Sequence, residues 1–180
     1  MTATNTEFEL RGVHHLALVC SDMQRTVDFY SGVLGMPVVL TIDLPGGFGQ
    51  HFFFDIGNGD TLAFFWFPET AAAVPGVTAP AELPIFGNWR SAITSMNHIA
   101  LEVPPEKFDE YVERLRSKGI ELSRITNHDD SERQISTEVH DGVFLRSVYF
   151  FDPDGILLEF ASWTRELTEA DVRATPARAV

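Results

Sequence analysis

The chain has 180 residues, 44% of them hydrophobic and 22% charged, which is enough for one ordinary domain or two very small ones and too apolar for disorder. A formal net charge of −13 opposes attraction to phosphate backbones and anionic bilayers, so neither nucleic acid nor a membrane is an expected partner. Its one cysteine, Cys20, has no internal disulfide partner, residues 1–10 are polar and acidic unlike a secretory signal, and no apolar run approaches the roughly 20 residues of a spanning helix, so the expected location is cytoplasmic.

The N-terminal extension, 1–11, leads into Val13-His14-His15-Leu16-Ala17-Leu18-Val19, which reads as a strand. Asp22 is placed to cap a following helix, in which Val27, Tyr30 and Leu34 recur at helical spacing before Gly35 ends it. Strand-like runs follow at 38–42, 51–56 and 61–67, the last two joined by the turn Gly57-Asn58-Gly59-Asp60. Residues 68–95 are rich in Pro and Ala, lack periodicity, and exceed an ordinary loop, as expected of a linker or lid. From residue 96 the order repeats. Met96-Asn97-His98-Ile99-Ala100-Leu101-Glu102 is a strand, and Pro104-Pro105 opens a helix carrying Phe108, Tyr111, Val112 and Leu115 that Gly119 stops. Strands are expected at 120–125, 144–151 and 156–161, with Asp152-Pro153-Asp154-Gly155 as the final turn. In the tail, 162–180, Thr168-Glu169-Ala170-Asp171 forms a capping box.

The chain is thus α+β, with βαβββ modules at 12–67 and 96–161. His15 and His98 occupy the same place in the two copies of His-x-Ala-Leu, so a pseudo-two-fold arrangement brings them to one site; strand alternation sends His14 to the opposite face. Glu159 lies among apolar neighbours on the last strand, where an unpaired carboxylate is costly to bury and a metal ion removes the cost.

The repeated His-x-Ala-Leu strands, the helix ending Val33-Leu34-Gly35-Met36 and the closing Asp-Pro-Asp-Gly-x-x-x-Glu-Phe resemble the vicinal oxygen chelate superfamily. That superfamily includes glyoxalase I, methylmalonyl-CoA epimerase, fosfomycin-modifying transferases, bleomycin-resistance proteins and type I extradiol dioxygenases. The resemblance covers residues 12–161 and implies two paired modules forming a cupped, partly open barrel around a metal held by His15, His98 and Glu159. It also implies roles for Tyr149 and His140, which match a tyrosine and a histidine of the extradiol enzymes. Those enzymes carry an acid-base histidine where this chain has Asp60, and His51, one strand earlier, is a second candidate base. In glyoxalase I a fourth ligand stands where this chain has Ala63 and Phe64.

Two imidazoles and one carboxylate leave coordination positions open, the arrangement associated with Fe(II) and oxygen chemistry; Mn(II) is the next choice, and zinc, nickel and cobalt suit the same ligand types. The aromatic runs 52–54 and 64–67 suit a flat, phenolic substrate. The leading expectation is therefore an Fe(II) extradiol-type dioxygenase acting on a small aromatic diol with O2. Alternatives are a glyoxalase- or epimerase-type isomerase or lyase, a thiol transferase, and a non-catalytic ligand-binding protein. A homodimer is an open alternative to the lone chain.

Overall fold

The computed structural model describes residues 7, 9, 11–84 and 89–177; most of the N-terminal extension and residues 85–88 of the linker lie outside them. The first module runs β1 (His15–Cys20), α1 (Met23–Val27), β2 (Val38–Leu44), β3 (Gly49–Gly57) and β4 (Asp60–Trp66). The second runs β5 (Ile99–Glu102), α2 (Phe108–Ser117), β6 (Thr126–Asp129), a two-residue β7 (Ile135–Ser136), β8 (Val143–Phe151) and β9 (Leu157–Trp163). Each module folds into its own sheet, in the orders β1-β4-β3-β2 and β5-β9-β8-β6-β7. In both, the first strand pairs parallel to the last and the remaining pairs are antiparallel.

Asp22 caps α1 as its position predicts, accepting from the Arg25 amide at 3.0 Å. The helix then widens into a π-helical turn, Asp28–Val33, in which the Leu34 amide reaches back to the Phe29 carbonyl. Phe29 and Tyr30 are both buried there, with ring centroids 5.2 Å apart.

The strand expected at 120–125 is absent; pairing begins at Thr126. Ile120, Leu122 and Ile125 instead pack on the core clusters, while Ser123 exchanges bonds with the Tyr149 backbone. Their alternation reflects packing, not a strand ladder. The tail forms a short 3-10 turn, Glu169–Asp171, with the reciprocal Thr168 and Asp171 bonds of a capping box.

One core cluster joins the modules. Met23, Tyr30, Phe54, Leu62 and Phe64 of the first pack with Ile99, Leu101, Leu115, Phe150 and Leu158 of the second. These residues belong to the helices and to the sheet faces beneath them, so the modules meet back to back. Ser21 and Arg25 bind Asp154, and Lys118 reaches the Val33 carbonyl, across the same boundary. The opposite, open faces of the two sheets therefore point away from each other within one chain. No described helix is long and apolar enough to cross a membrane.

Candidate metal centre

On the second sheet, the register pairs Ala100 with Glu159 and Glu159 with Tyr149, which sets all three on the open face. His98, immediately before β5, reaches the same place: its Nε2 lies 3.0 Å from Glu159 Oε2. Its other nitrogen, Nδ1, is 2.8 Å from Asn97 Oδ1. The Asn97 amide group donates to the Trp89 carbonyl at 2.9 Å, and a carbonyl can only accept, so the Asn97 oxygen must face His98. His98 Nδ1 is then the donor, and in neutral imidazole Nε2 has only a lone pair to offer the carboxylate. Two acceptors 3.0 Å apart need a proton or a cation between them. Ligands on one ion at about 2.1 Å, at right angles, stand about 3 Å apart, so the spacing fits a divalent metal.

Glu159 is 3% exposed. Burial pushes its carboxyl up, but the nearby His98 and His128 imidazoles more than offset this and hold it below the usual range, as any positive charge placed beside it does. Tyr149 packs edge-on to His98, with centroids 5.8 Å apart. Burial and the neighbouring Glu159 push its hydroxyl up to about 12, so it remains a donor at neutral pH. His128 shares this face, opposite Leu145; its Nε2 is buried without a hydrogen-bond partner, and burial lowers its pKa despite the charges of Glu159 and Asp129.

His15 stands on the open face of the first sheet, in register with Thr61, and its ring lies edge-on to Phe53 at 5.7 Å. His51 is on the same face, stacked on Phe65 at 3.6 Å with its Nε2 buried and unpartnered; burial, then the charge of His15, lowers its pKa. His14 does not turn away as strand alternation implies. It precedes the first strand residue, and its Nδ1 lies 2.8 Å from His15 Nδ1. When His15 donates in that contact, its Nε2 is left with the lone pair a metal ligand requires.

The structure thus brings together His98, Glu159 and Tyr149, and separately His15 and His51. Among the described residues of one chain, no group of three or more His, Cys, Asp or Glu side chains can hold a metal ion. Asp60 lies in register with Gly57 at the turn, and alternation sets it with Leu62 and Phe64 on the back face. His140 accepts from the Gly142 amide through Nδ1 and so donates through Nε2 to Asp129 at 3.1 Å, in a loop apart from the Glu159 group. Sequence reasoning overlooked Asn97, whose signal was its place next to His98, and His128, which lies on β6 outside the strands that the apolar pattern marks.

A family model of the Glyoxalase/Bleomycin resistance protein/Dioxygenase superfamily matches residues 12–160, and the chain belongs to that superfamily. It is 25% identical over 150 residues to the YwkD protein of Bacillus subtilis (strain 168), covering 83% of this chain and 95% of that one. It is 36% identical to the fosfomycin resistance protein FosX of Listeria innocua over 70 residues, 39% of this chain and 44% of FosX. Among solved structures, a glyoxalase/dioxygenase from Nostoc punctiforme superposes with a TM-score of 0.59 at 23% identity, covering 92% of this chain and 99% of that one. FosX from Listeria monocytogenes, complexed with Mn(II) and sulfate, gives 0.54 at 20%, covering 86% and 94%. These superpositions establish the shared fold.

Proposed function

We propose that this chain is a divalent-metal enzyme acting on a small aromatic diol, an Fe(II) ring-cleaving dioxygenase whose site is shared between two copies. His15 of one copy and His98 with Glu159 of the other are the ligands. The observation that carries the metal is the His98 Nε2 lone pair, fixed by Asn97, facing Glu159 at 3.0 Å. The back-to-back packing of the modules carries the sharing, because His15 faces outward from a sheet whose open side also exposes Val19, Leu40 and Ile42.

A bound Fe(II) supplies chelation of the two substrate oxygens and activation of dioxygen, both atoms of which enter the ring-opened product. The chain supplies the rest. Tyr149, protonated at neutral pH, donates to a substrate oxygen; His51 and His128 are imidazoles able to accept a hydroxyl proton; Phe53 and Phe65 exclude water around the ring.

The likeness to FosX favours a second reading, chemistry on a phosphonate, since a FosX mutant was solved with Mn(II) and 1S,2S-dihydroxypropylphosphonic acid, itself a vicinal diol. The charge pattern opposes it. Among the described residues, Arg146 is the one Lys or Arg in the nine strands, and it faces α2, bound to Asp109 and lying over Phe108. The strands therefore bring no cation to either open face to pair with a dianionic phosphonate, whereas a neutral diol needs none.

The test is complementation. His15→Ala and Glu159→Ala are each expected to lose metal, and His14→Ala to keep it. Mixing the first two with subunit exchange should restore metal to about one quarter of the sites, because half the dimers are mixed and each holds one intact site. No recovery on mixing, with exchange demonstrated, excludes the shared site. The wild-type Fe(II) protein should consume O2 with catechol, and a diol panel without uptake sinks the ring-cleavage reading.

A further inference from the structure

The linker reaches the metal-ligand group through Asn97. The Asn97 amide nitrogen lies 2.9 Å from the Trp89 carbonyl and 3.3 Å from Ser91 Oγ, while its oxygen faces His98 Nδ1 at 2.8 Å. Residues 89–95 gain little from apolar burial, since Trp89 and Ile93 are exposed. The Ala92 amide ties the segment to the Val77 carbonyl, and the Ser95 amide and hydroxyl close a turn on the Ala92 carbonyl. Thr94, at the third position of that turn, has a φ of +76°, a conformation costly for a β-branched side chain. The seated segment therefore carries strain that its polar ties must offset.

The two ends of the Asn97 amide are not interchangeable. With an ion on His98 Nε2, the ring proton stays on Nδ1, Asn97 must turn its oxygen to it, and the amide nitrogen is left for Trp89 and Ser91. With no ion, the neutral ring has a second arrangement open to it. The proton moves through water from Nδ1 to Nε2, where it is donated to Glu159 across the 3.0 Å gap, and Asn97 rotates by half a turn to donate to Nδ1. The Asn97 oxygen then meets the Trp89 carbonyl, two acceptors with no proton between them, and the segment loses that tie. Resting on the metal reading above, we infer that residues 89–95 and the ion are coupled through the Asn97 amide: ion binding seats the segment, and loss of the ion releases it. By linkage, a seated segment raises the affinity for the ion by the same factor.

Hydrogen exchange of residues 89–95 in the full-length protein, with Mn(II) as the probe and at about pH 8, above the ordinary range of an imidazole, tests the coupling without any turnover. Mn(II) should slow exchange there roughly tenfold and leave α2 unchanged. Asn97→Asp presents oxygen to both neighbours, so it should bind Mn(II) yet leave the segment in fast exchange with or without the ion, which separates the coupling from any shielding by a second copy. Thr94→Asn relieves the strain without touching the ion, because asparagine tolerates a positive φ, and should tighten Mn(II) binding at least roughly threefold. Wild-type protein that binds Mn(II) with no change in exchange overturns the inference and leaves the metal centre standing. Equal protection of wild type and Asn97→Asp by Mn(II) overturns it as well, as does a Thr94→Asn affinity equal to wild type. Wild-type protein that binds no Mn(II) removes the metal centre and the coupling together.

Discussion

The Tyr30 hydroxyl donates to Asp152 Oδ2 at 3.1 Å, and both side chains are buried where the back of the first module meets the closing turn of the second. The other oxygen of Asp152 accepts from the amides of Asp154 and Ile156, so one carboxylate fixes the β8–β9 turn and its contact with α1's π-helical continuation. Burial, only partly offset by these donors, pushes Asp152 up to about 6.

That value sets a stability prediction. An unfolded aspartate titrates near 4, so between about pH 4 and 6 the unfolded chain has lost its proton while the folded chain retains it. Asp152 therefore makes stability fall as pH rises through this window and level off above it. Tyr30→Phe removes a donor to the carboxylate, moves the folded value higher and extends the fall. The variant should lose roughly 1–3 kcal/mol at pH 7 in urea unfolding. A pH profile superimposable on wild type would show that the hydroxyl contributes nothing to this carboxylate.

Asn97 is expected to govern metal affinity without touching the ion. Asn97→Leu releases His98 Nδ1 from its acceptor and should weaken Mn(II) or Fe(II) binding by roughly 10–100-fold, whereas Asn97→Asp keeps an acceptor and most of the affinity. Metal titration of the two variants decides this; equal loss in both would mean that the Trp89 contact, not the His98 tautomer, is what matters.

Tyr149→Phe should leave metal content intact and slow turnover roughly tenfold or more. His140→Ala should have the smaller effect, since His140 is engaged with Asp129. Loss of metal from Tyr149→Phe would show the tyrosine to be part of the coordination shell.

Gly49 marks a backbone limit in the first sheet. Its φ is +145°, and a Cβ there would sit 2.0 Å from the Trp66 carbonyl oxygen of the neighbouring strand. Gly49→Ala should cost roughly 2–4 kcal/mol, read from urea unfolding, because strand backbone has to move. An unchanged midpoint would mean that the end of β3 is free to shift.

Local signals carried most of this architecture. His-x-Ala-Leu, Asp22, Gly35, Gly119 and the two Gly- or Pro-bearing turns each act within a few residues, and the strands and helices lie near where those residues place them. What failed was non-local. The apolar pattern at 120–125 is the same whether Ile120 and Leu122 pack on helices or join a ladder. His14 misled because alternation holds only inside a strand, and β1 starts one residue later. Equivalence of His15 and His98 in the repeat says that they are alike; it does not say which sheet faces meet, and the core formed by Tyr30, Phe54, Leu101 and Phe150 turned the backs inward.

The outward orientation of both open faces has a thermodynamic corollary. On the two-copy reading, ion and subunit association are linked equilibria: each ion bound favours the assembled pair, and each pair formed raises the affinity for the ion by the same factor. Apparent metal affinity then depends on protein concentration. Dilution alone sheds the ion, and a chelator dissociates the pair. Specific activity that collapses on dilution and returns with excess metal would belong to the assembly and not to any instability of the folded chain.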